Sequence, residues 1–298
     1  MSQAATNPAG AVVVTFHPDL EQLERLLASL EREAIDTLVV DNTPGEPSDA
    51  LVGLCAGRAE LSAGRGNTGV AAAINRGVEH WRRAGKQYAL LLDQDSLPDP
   101  GLATALVDAL RSLDSGEHPV AAVGPVIRDR ASGKRAPFMR FALPLNRRLH
   151  PTGTESLRCD YLITSGTLLN LRHWERIGPM REHWFIDNID LEWSFRARRL
   201  GYELHGTAAA ELEHSIGESR QLLPGKPAPR YRHHGPERLY TMMRNRVFLY
   251  RSGAPRAWVV QDLLRAAGKL VLFSLVRPRR ANLASMLRGL RDGMRQHP

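Results

Sequence analysis

Residues 88–96 read Tyr-Ala-Leu-Leu-Leu-Asp-Gln-Asp-Ser, a short apolar run that stops on two carboxylates, Asp93 and Asp95. Such a run, closed by a turn cluster and Pro98, predicts a strand buried on both faces. Two acids two residues apart at the end of that strand can hold a divalent cation whose other ligands are phosphate oxygens and water. On this reading the partner of the site is a diphosphate.

The pattern repeats on either side. Upstream, Ala11 to Phe16 (Ala-Val-Val-Val-Thr-Phe) predicts a first strand, and Leu20, Leu23, Leu26, Leu27 and Leu30 fall at helical spacing. Thr37 to Val40 predicts a second strand, stopped by Asp41-Asn42-Thr43-Pro44-Gly45. Ala59 to Ser62 is a short segment before the loop Gly64-Arg65-Gly66-Asn67-Thr68-Gly69, which feeds a helix to about Ala84. Downstream, Ala103 to Leu113 predicts a helix and Val120 to Ile127 a strand. Arg128 to Arg158, rich in Arg, Pro and Gly, reads as a long mobile loop. Tyr161 to Leu169 is strand-like, and Ile189 to Leu200 is a helix ended by Gly201. Alternating strands and helices predict an α/β, doubly wound, mostly parallel sheet with ligands at the carboxyl ends of its strands. Asp41, Asn67, Asp93 and Asp95 all fall at such ends.

Composition narrows the class. With 298 residues, 43% hydrophobic and 24% charged, the chain is neither disordered nor collagen-like. Its two cysteines, Cys55 and Cys159, make neither a disulfide framework nor a four-thiolate zinc site. Met1 to Gly10 lacks the features of a signal peptide, so a cytoplasmic protein is expected. The longest apolar runs, such as Leu270 to Val276, are too short to span a bilayer.

Charge is unevenly spread: residues 1–219 hold 23 Lys/Arg against 29 Asp/Glu, and residues 220–298 hold 17 against 3. The basic end should meet phosphates, lipid headgroups or nucleic acid. Beyond Ala257, Trp258, Val259, Leu263, Leu264, Leu270, Val271 and Phe273 form a broad apolar surface. Leu283, Met286, Leu287, Leu290 and Met294 line a second helix opposite Arg288, Arg291 and Arg295. A basic amphipathic pair of this kind can lie in a membrane interface or pack on a core.

Two further clusters bear chemistry. Asp187, Asp190 and Glu192 sit among Trp184, Phe185, Ile186, Ile189 and Trp193, the setting in which desolvation makes a usable general base. They also suit a helix N-terminus. His214 is a candidate metal or phosphate ligand. His233-His234-Gly235-Pro236 precedes Arg238, Arg244 and Arg246, whose guanidinium groups suit a phosphate.

Together these elements resemble the family-2 inverting glycosyltransferases of GT-A fold, and among them the bacterial rhamnosyltransferases of surface polysaccharide synthesis. The resemblance covers about Val12 to Tyr250. It rests on Val-Val-Thr-Phe with Pro18, Val39-Val40-Asp41-Asn42, Gly66-Asn67-Thr68-Gly69 with Ala71 and Asn75, and Leu90 to Ser96. It continues through Ser165-Gly166, Phe185-Ile186-Asp187 with Asp190 to Trp193, His214 with Gly217, and Arg238-Leu239-Tyr240 with Arg244-Asn245.

The resemblance implies roles. Thr15 and Asp41 belong to the nucleotide site, with Asp41 accepting from the pyrimidine N3. Asn67 and Asn75 flank the base, Asp93 and Asp95 bind ribose and Mg2+ or Mn2+, and His214 completes the metal shell. Trp184, Glu192, Arg238 and Arg244 are assigned to phosphate or acceptor. Where the wider family has Glu-Asp this chain has Asp187-Asn188, so Asp187 is the first choice of base and Asp190 the second. The implied donor is dTDP-L-rhamnose, and the acceptor a saccharide, lipid-linked at the inner face of the cytoplasmic membrane. Residues 1–250 are then the GT-A unit, with a nucleotide half 1–125 and an acceptor half 126–250, and 251–298 a basic helical tail with a C-terminal helical extension of the fold. A UDP-linked hexose is the alternative donor. An apolar strand followed by Asp-x-Asp also resembles haloacid-dehalogenase phosphatases, with Asp93 as nucleophile, but that reading leaves Asp41, Asn67 and Asn75 unused. No nucleic-acid recognition pattern is visible.

Overall fold

The computed structural model describes residues 7–114, 117–214, 219–221, 230–232 and 234–298. Met1 to Thr6, Gly217 and His233, which figure in the sequence reading, lie outside the described residues. In chain order the first elements are β1 (Ala9–Thr15), α1 (Leu20–Arg32), β2 (Asp36–Asp41), α2 (Asp49–Cys55), β3 (Glu60–Ser62), α3 (Val70–Arg83) and β4 (Tyr88–Asp93). Then come β5 (Leu97–Pro98), α4 (Leu102–Leu113), β6 (Val120–Asp129), β7 (Phe138–Arg140), β8 (Arg147–Leu149), β9 (Ser156–Cys159) and β10 (Leu168–Asn170). The remainder is α5 (Trp174–Ile177), α6 (Ile189–Arg199), β11 (Glu203–His214), β12 (Ser219–Gln221), β13 (Arg230–Arg232), α7 (Pro236–Arg251), α8 (Arg256–Leu275) and α9 (Arg279–Arg295).

The central sheet runs β3-β2-β1-β4-β10-β6-β11-β5, with β9 on β11. Strands β1, β2, β3 and β4 are mutually parallel, as are β6 and β11; β10 enters antiparallel between β4 and β6. Apolar side chains fill both faces, because β1 and β4 present Val and Leu to each side and the flanking helices carry matching stripes. Asp19 caps α1 by accepting from the Glu21 and Gln22 amides. Helix α3 lies hard against β1: Gly77 leaves room for Val12, and Trp81 donates from Nε1 to the Ala11 carbonyl at 2.9 Å.

Three expectations are corrected. Residues 128–158 are not one loop: β6 extends to Asp129, β7 and β8 form a hairpin, and β9 joins the sheet on β11. Strands of three or four residues are too short to leave a period in the sequence. The strand expected over Tyr161 to Leu169 shrinks to Leu168–Asn170, because Gly166, at φ +82°, turns the chain against Pro125 and Leu212. The twelve-residue β11 was not foreseen, since its Gly and Ala residues carry low strand propensity.

The C-terminal helices pack on α7. A Cβ on Gly289 would lie 2.3 Å from the Tyr240 carbonyl, and one on Gly293 2.7 Å from that of Arg244, so α9 and α7 touch backbone to backbone. Leu239, Met243, Phe273 and Met286 are enclosed between these helices. Buried Arg246 grips Asp262 of α8 at 2.5 Å, and Tyr250 donates to the same carboxylate at 2.8 Å. No helix among the described residues is long and apolar enough to cross a membrane.

Candidate functional site

The carboxyl ends of β1, β2 and β4 open into a cavity of about 960 Å³. At one end the Thr15 hydroxyl donates to Asp41 Oδ1 at 2.8 Å, and the Thr43 hydroxyl donates to the same oxygen at 2.8 Å. The side chain of Asn42 donates to the Gly69 carbonyl at 3.0 Å and accepts from Thr68 at 3.2 Å. Asn67 accepts from the Gly69 amide at 3.1 Å. The two Asn42 bonds join the β2 turn to the loop before α3.

Asp93 and Asp95 sit where β4 ends, and His214 reaches them from the end of β11. One ligand atom from each lies within 4.8 Å of the other two. His214 Nδ1 is 3.4 Å from Asp95 Oδ1, and its Nε2 is 3.8 Å from Asp93 Oδ2. Ser165 donates its hydroxyl to Asp93 and lies 3.4 Å from His214 Nε2. His214 Nδ1 is buried without a hydrogen-bond partner among the described residues. A buried imidazole nitrogen aimed at two carboxylates is costly unless a cation or proton joins them, and this donor set fits Mn2+ or Mg2+. Burial raises the pKa of Asp95 and neighbouring Asp93 raises it further, while His214 opposes them.

Across the cavity, residues 185–188 form a strained bend. Phe185, Asp187 and Asn188 all take positive φ, at 67°, 64° and 63°. Such backbone is held only by its surroundings. Buried Asn245 of α7 supplies much of that hold: its Nδ2 donates toward the carbonyls of Trp184, Ile186 and Asp187 at 2.8, 2.7 and 3.0 Å. From the other side the Val70 amide donates to the Phe185 carbonyl at 2.8 Å, and Gly69 leaves no room for a Cβ against Phe185.

The bend sets Asp187 and Asp190 apart. Asp187 is paired with Arg238 at 3.2 Å. Asp190, in the first turn of α6, accepts only from the Leu191 amide among the described hydrogen bonds, at 2.8 Å. It lies where the main cavity meets a second one of about 630 Å³. Removal from bulk water pushes Asp190 up to about 6, the Leu191 amide opposes this, and Asp187 and Asp93 add like charge.

The structure thus brings Thr15, Asn67, Asp93, Asp95, Asp190, His214 and Arg238 to the main cavity, and Asp187 to the adjoining one. Asp41 lies buried behind Thr15. Like Asp41, four further expected residues do not line either cavity. Asn75 ties α3 to the Met180 backbone by two hydrogen bonds of 2.8 and 2.9 Å. Glu192 is buried in a two-point pair with Arg196, at 2.9 and 2.8 Å. Trp184 is wholly buried against Phe248, and Arg244 lies over the Tyr240 and Phe248 rings while donating to the His183 and Trp184 carbonyls. All four serve the frame of the 185–188 bend or its neighbours. Sequence reasoning assigned no role to Ser165 or Gln94, although both stand in the quoted motifs; Gln94 Oε1 accepts from the Phe16 amide at 2.7 Å.

The site lies at the strand ends of a GT-A-like sheet, and the chain is a glycosyltransferase by family. The sequence model of glycosyl transferase family 2 matches residues 11–167, and the chain belongs to that family. It is 29% identical over 250 residues to the dTDP-rhamnosyl transferase RfbF of Shigella flexneri, an alignment covering 81% of this chain and 79% of that one. It is also 27% identical over 205 residues to the uncharacterized protein Rv1525 of Mycobacterium tuberculosis, covering 65% and 69%. Among solved structures, GalNAc-T7 with UDP, GalNAc and Mn2+ matches at TM-score 0.57 and 14% identity, over 99% of this chain and 57% of that one. TarS 1-349 of S. aureus in complex with UDP-GlcNAc matches at 0.53 and 13%, over 97% and 92%. At these identities the structural likenesses establish the fold.

Proposed function

We propose that the chain is an inverting, metal-dependent rhamnosyltransferase that moves L-rhamnose from dTDP-L-rhamnose to a saccharide acceptor in surface polysaccharide synthesis. The observation that carries this reading is the placement of Asp190 across one cavity from the Asp93, Asp95 and His214 cluster. The relative named as a dTDP-rhamnosyl transferase supports the choice of sugar.

Asp190 takes the proton of the acceptor hydroxyl as its oxygen bonds to the anomeric carbon and the bond to the diphosphate oxygen breaks. A single in-line displacement turns a β-linked donor into an α-L-rhamnosyl product. Asp190 is preferred over Asp187 because Arg238 already occupies both Asp187 oxygens. Thr15, Asp41 and Asn67 orient the nucleotide. Asp93, Asp95 and His214 are the residues that would hold Mg2+ or Mn2+, which when bound supplies positive charge to the departing diphosphate. The acceptor is lipid-linked and the enzyme peripheral at the inner face of the membrane, with residues 1–250 as the catalytic unit and 251–298 as its basic helical tail. Nucleic acid is no part of this reading.

Calorimetry of dTDP-L-rhamnose, UDP-galactose and UDP-N-acetylglucosamine, with and without Mn2+, tests it. Metal-dependent binding of the rhamnose donor is expected. Preference for a UDP-sugar would overturn the donor assignment, and binding indifferent to metal would overturn the metal assignment.

A further inference from the structure

Two stretches outside the donor site converge on one face. The β7–β8 hairpin, residues 138–149, carries three arginines and no acid. At its tip Leu143 and Leu145 are 59% and 77% exposed. Gln261 of α8 donates from Nε2 to the Ala142 carbonyl at 2.8 Å and toward that of Pro144 at 3.4 Å, which fixes the tip beside the helix. On α8, Val260, Leu264, Val271 and Leu275 recur along a single stripe, and all are exposed, Leu264 by 74%. Exposed Arg256 stands at the start of α8, and exposed Arg277, Arg279 and Arg280 follow its end. The acid within α8, Asp262, is buried and held by Arg246 and Arg265.

We propose that this face docks on an anionic lipid bilayer, with Leu143, Leu145, Leu264 and Val271 entering the headgroup layer and the surrounding cations meeting lipid phosphates. Exposed leucines with exposed arginines on the same two elements and just beyond them have the composition of an interfacial element. A second copy of the chain is a poorer occupant, since two such faces would set like charges against one another. The same two elements wall the second cavity, through Phe141 and Asn146 of the hairpin segment and Trp258, Arg265 and Lys269 of α8, with Asp190 at its inner end. A saccharide whose lipid stays in the bilayer would reach Asp190 along this wall. The docking deepens the peripheral placement proposed above, and that last step rests also on the lipid-linked acceptor.

Flotation of the full chain with vesicles of phosphatidylcholine containing phosphatidylglycerol, against phosphatidylcholine alone, tests it. The expected result is capture by the anionic vesicles at low salt and release at high salt. The pairs Leu143→Ser with Leu145→Ser and Leu264→Ser with Val271→Ser are each expected to lower capture about tenfold. Donor binding measured on the same variants should be unchanged, which also reports that they are folded. Absence of wild-type capture at low salt overturns the proposal, as does unimpaired capture of both double variants. A wild-type dimer that the same substitutions dissociate, with vesicles ignored, assigns the face to a second copy. If vesicles bind and dTDP-L-rhamnose does not, the donor reading falls and the docking surface stands.

Discussion

Arg238 closes on Asp187 with both arms of its guanidinium, Nη2 at 3.2 Å from Oδ1 and Nε at 3.4 Å from Oδ2. Three residues later Asp190 faces the cavity with no such cation, and the two acids therefore carry different work. Asp190→Asn is expected to lower kcat about 10²- to 10⁴-fold with little change in donor affinity. Asp187→Asn should retain most of kcat. For the wild type, kcat should fall below about pH 6, as Asp190 takes up a proton. In Asp187→Asn that limb should move to lower pH, because a like charge beside Asp190 is gone. The pH profile of kcat for the three proteins checks this, and an Asp187 variant as inert as the Asp190 one would reverse the assignment.

The raised Asp190 also bears on stability. Its folded pKa lies above the unfolded value, so its ionisation at neutral pH disfavours the fold, and that cost fades as pH falls through about 6 towards 4. Asp190→Asn should therefore melt higher than wild type at pH 7.5, by at most about 3 kcal/mol, with the gap closing near pH 4. Paired thermal melts across that range would show it; a constant gap would point to packing instead.

Removal of the metal, or of its ligands, should act on donor binding first. Chelation of wild type, Asp95→Asn and His214→Ala should each weaken calorimetric binding of dTDP-L-rhamnose about tenfold or more. His214→Ala is expected to remain folded, since its Nδ1 has no hydrogen-bond partner to lose among the described residues. Full metal-dependent binding by His214→Ala would remove histidine from the ligand set.

Asn245 holds three carbonyls of a bend whose residues sit at positive φ. Asn245→Ala leaves those carbonyls short of a donor, which should cost about 1–3 kcal/mol in thermal stability. It should lower kcat more than it raises the donor KM, because the bend positions Asp187 and Asp190 rather than the nucleotide. Asn245→Asp, which lacks the amide protons, should be no better than the alanine variant.

How much of this was readable in advance follows from physical range. The strands over residues 11–16, 37–40 and 88–92 announce themselves because a strand buried on both faces must be apolar throughout. The carboxylates at their ends follow, since an apolar run that stops on Asp exposes it. The pairing of Glu192 was not legible, because a sequence shows that an acid lies near a helix start, not that Arg196 one turn later takes both its oxygens. Asn75 reads as a base-flanking residue for the same reason: its tie to Met180 spans 105 positions of chain. The β7–β8 hairpin escaped because its strands are three residues long and their pairing is fixed by contacts elsewhere.

Strand β11 holds a last consequence. Thr207 pairs with Pro125 and Glu211 with the very next residue, Val126, so three residues bulge out of β11 before it delivers His214 to Asp93 and Asp95. The phase of that histidine is thus set by the length of a small detour and not by the strand before it. Losing or gaining one residue among Ala208, Ala209 and Ala210 would turn the imidazole to the other side of the sheet, and buried Leu212 two residues before it would turn with it. Catalytic competence here can change by indel, at a place where an alignment scored on substitutions alone would see only alanines.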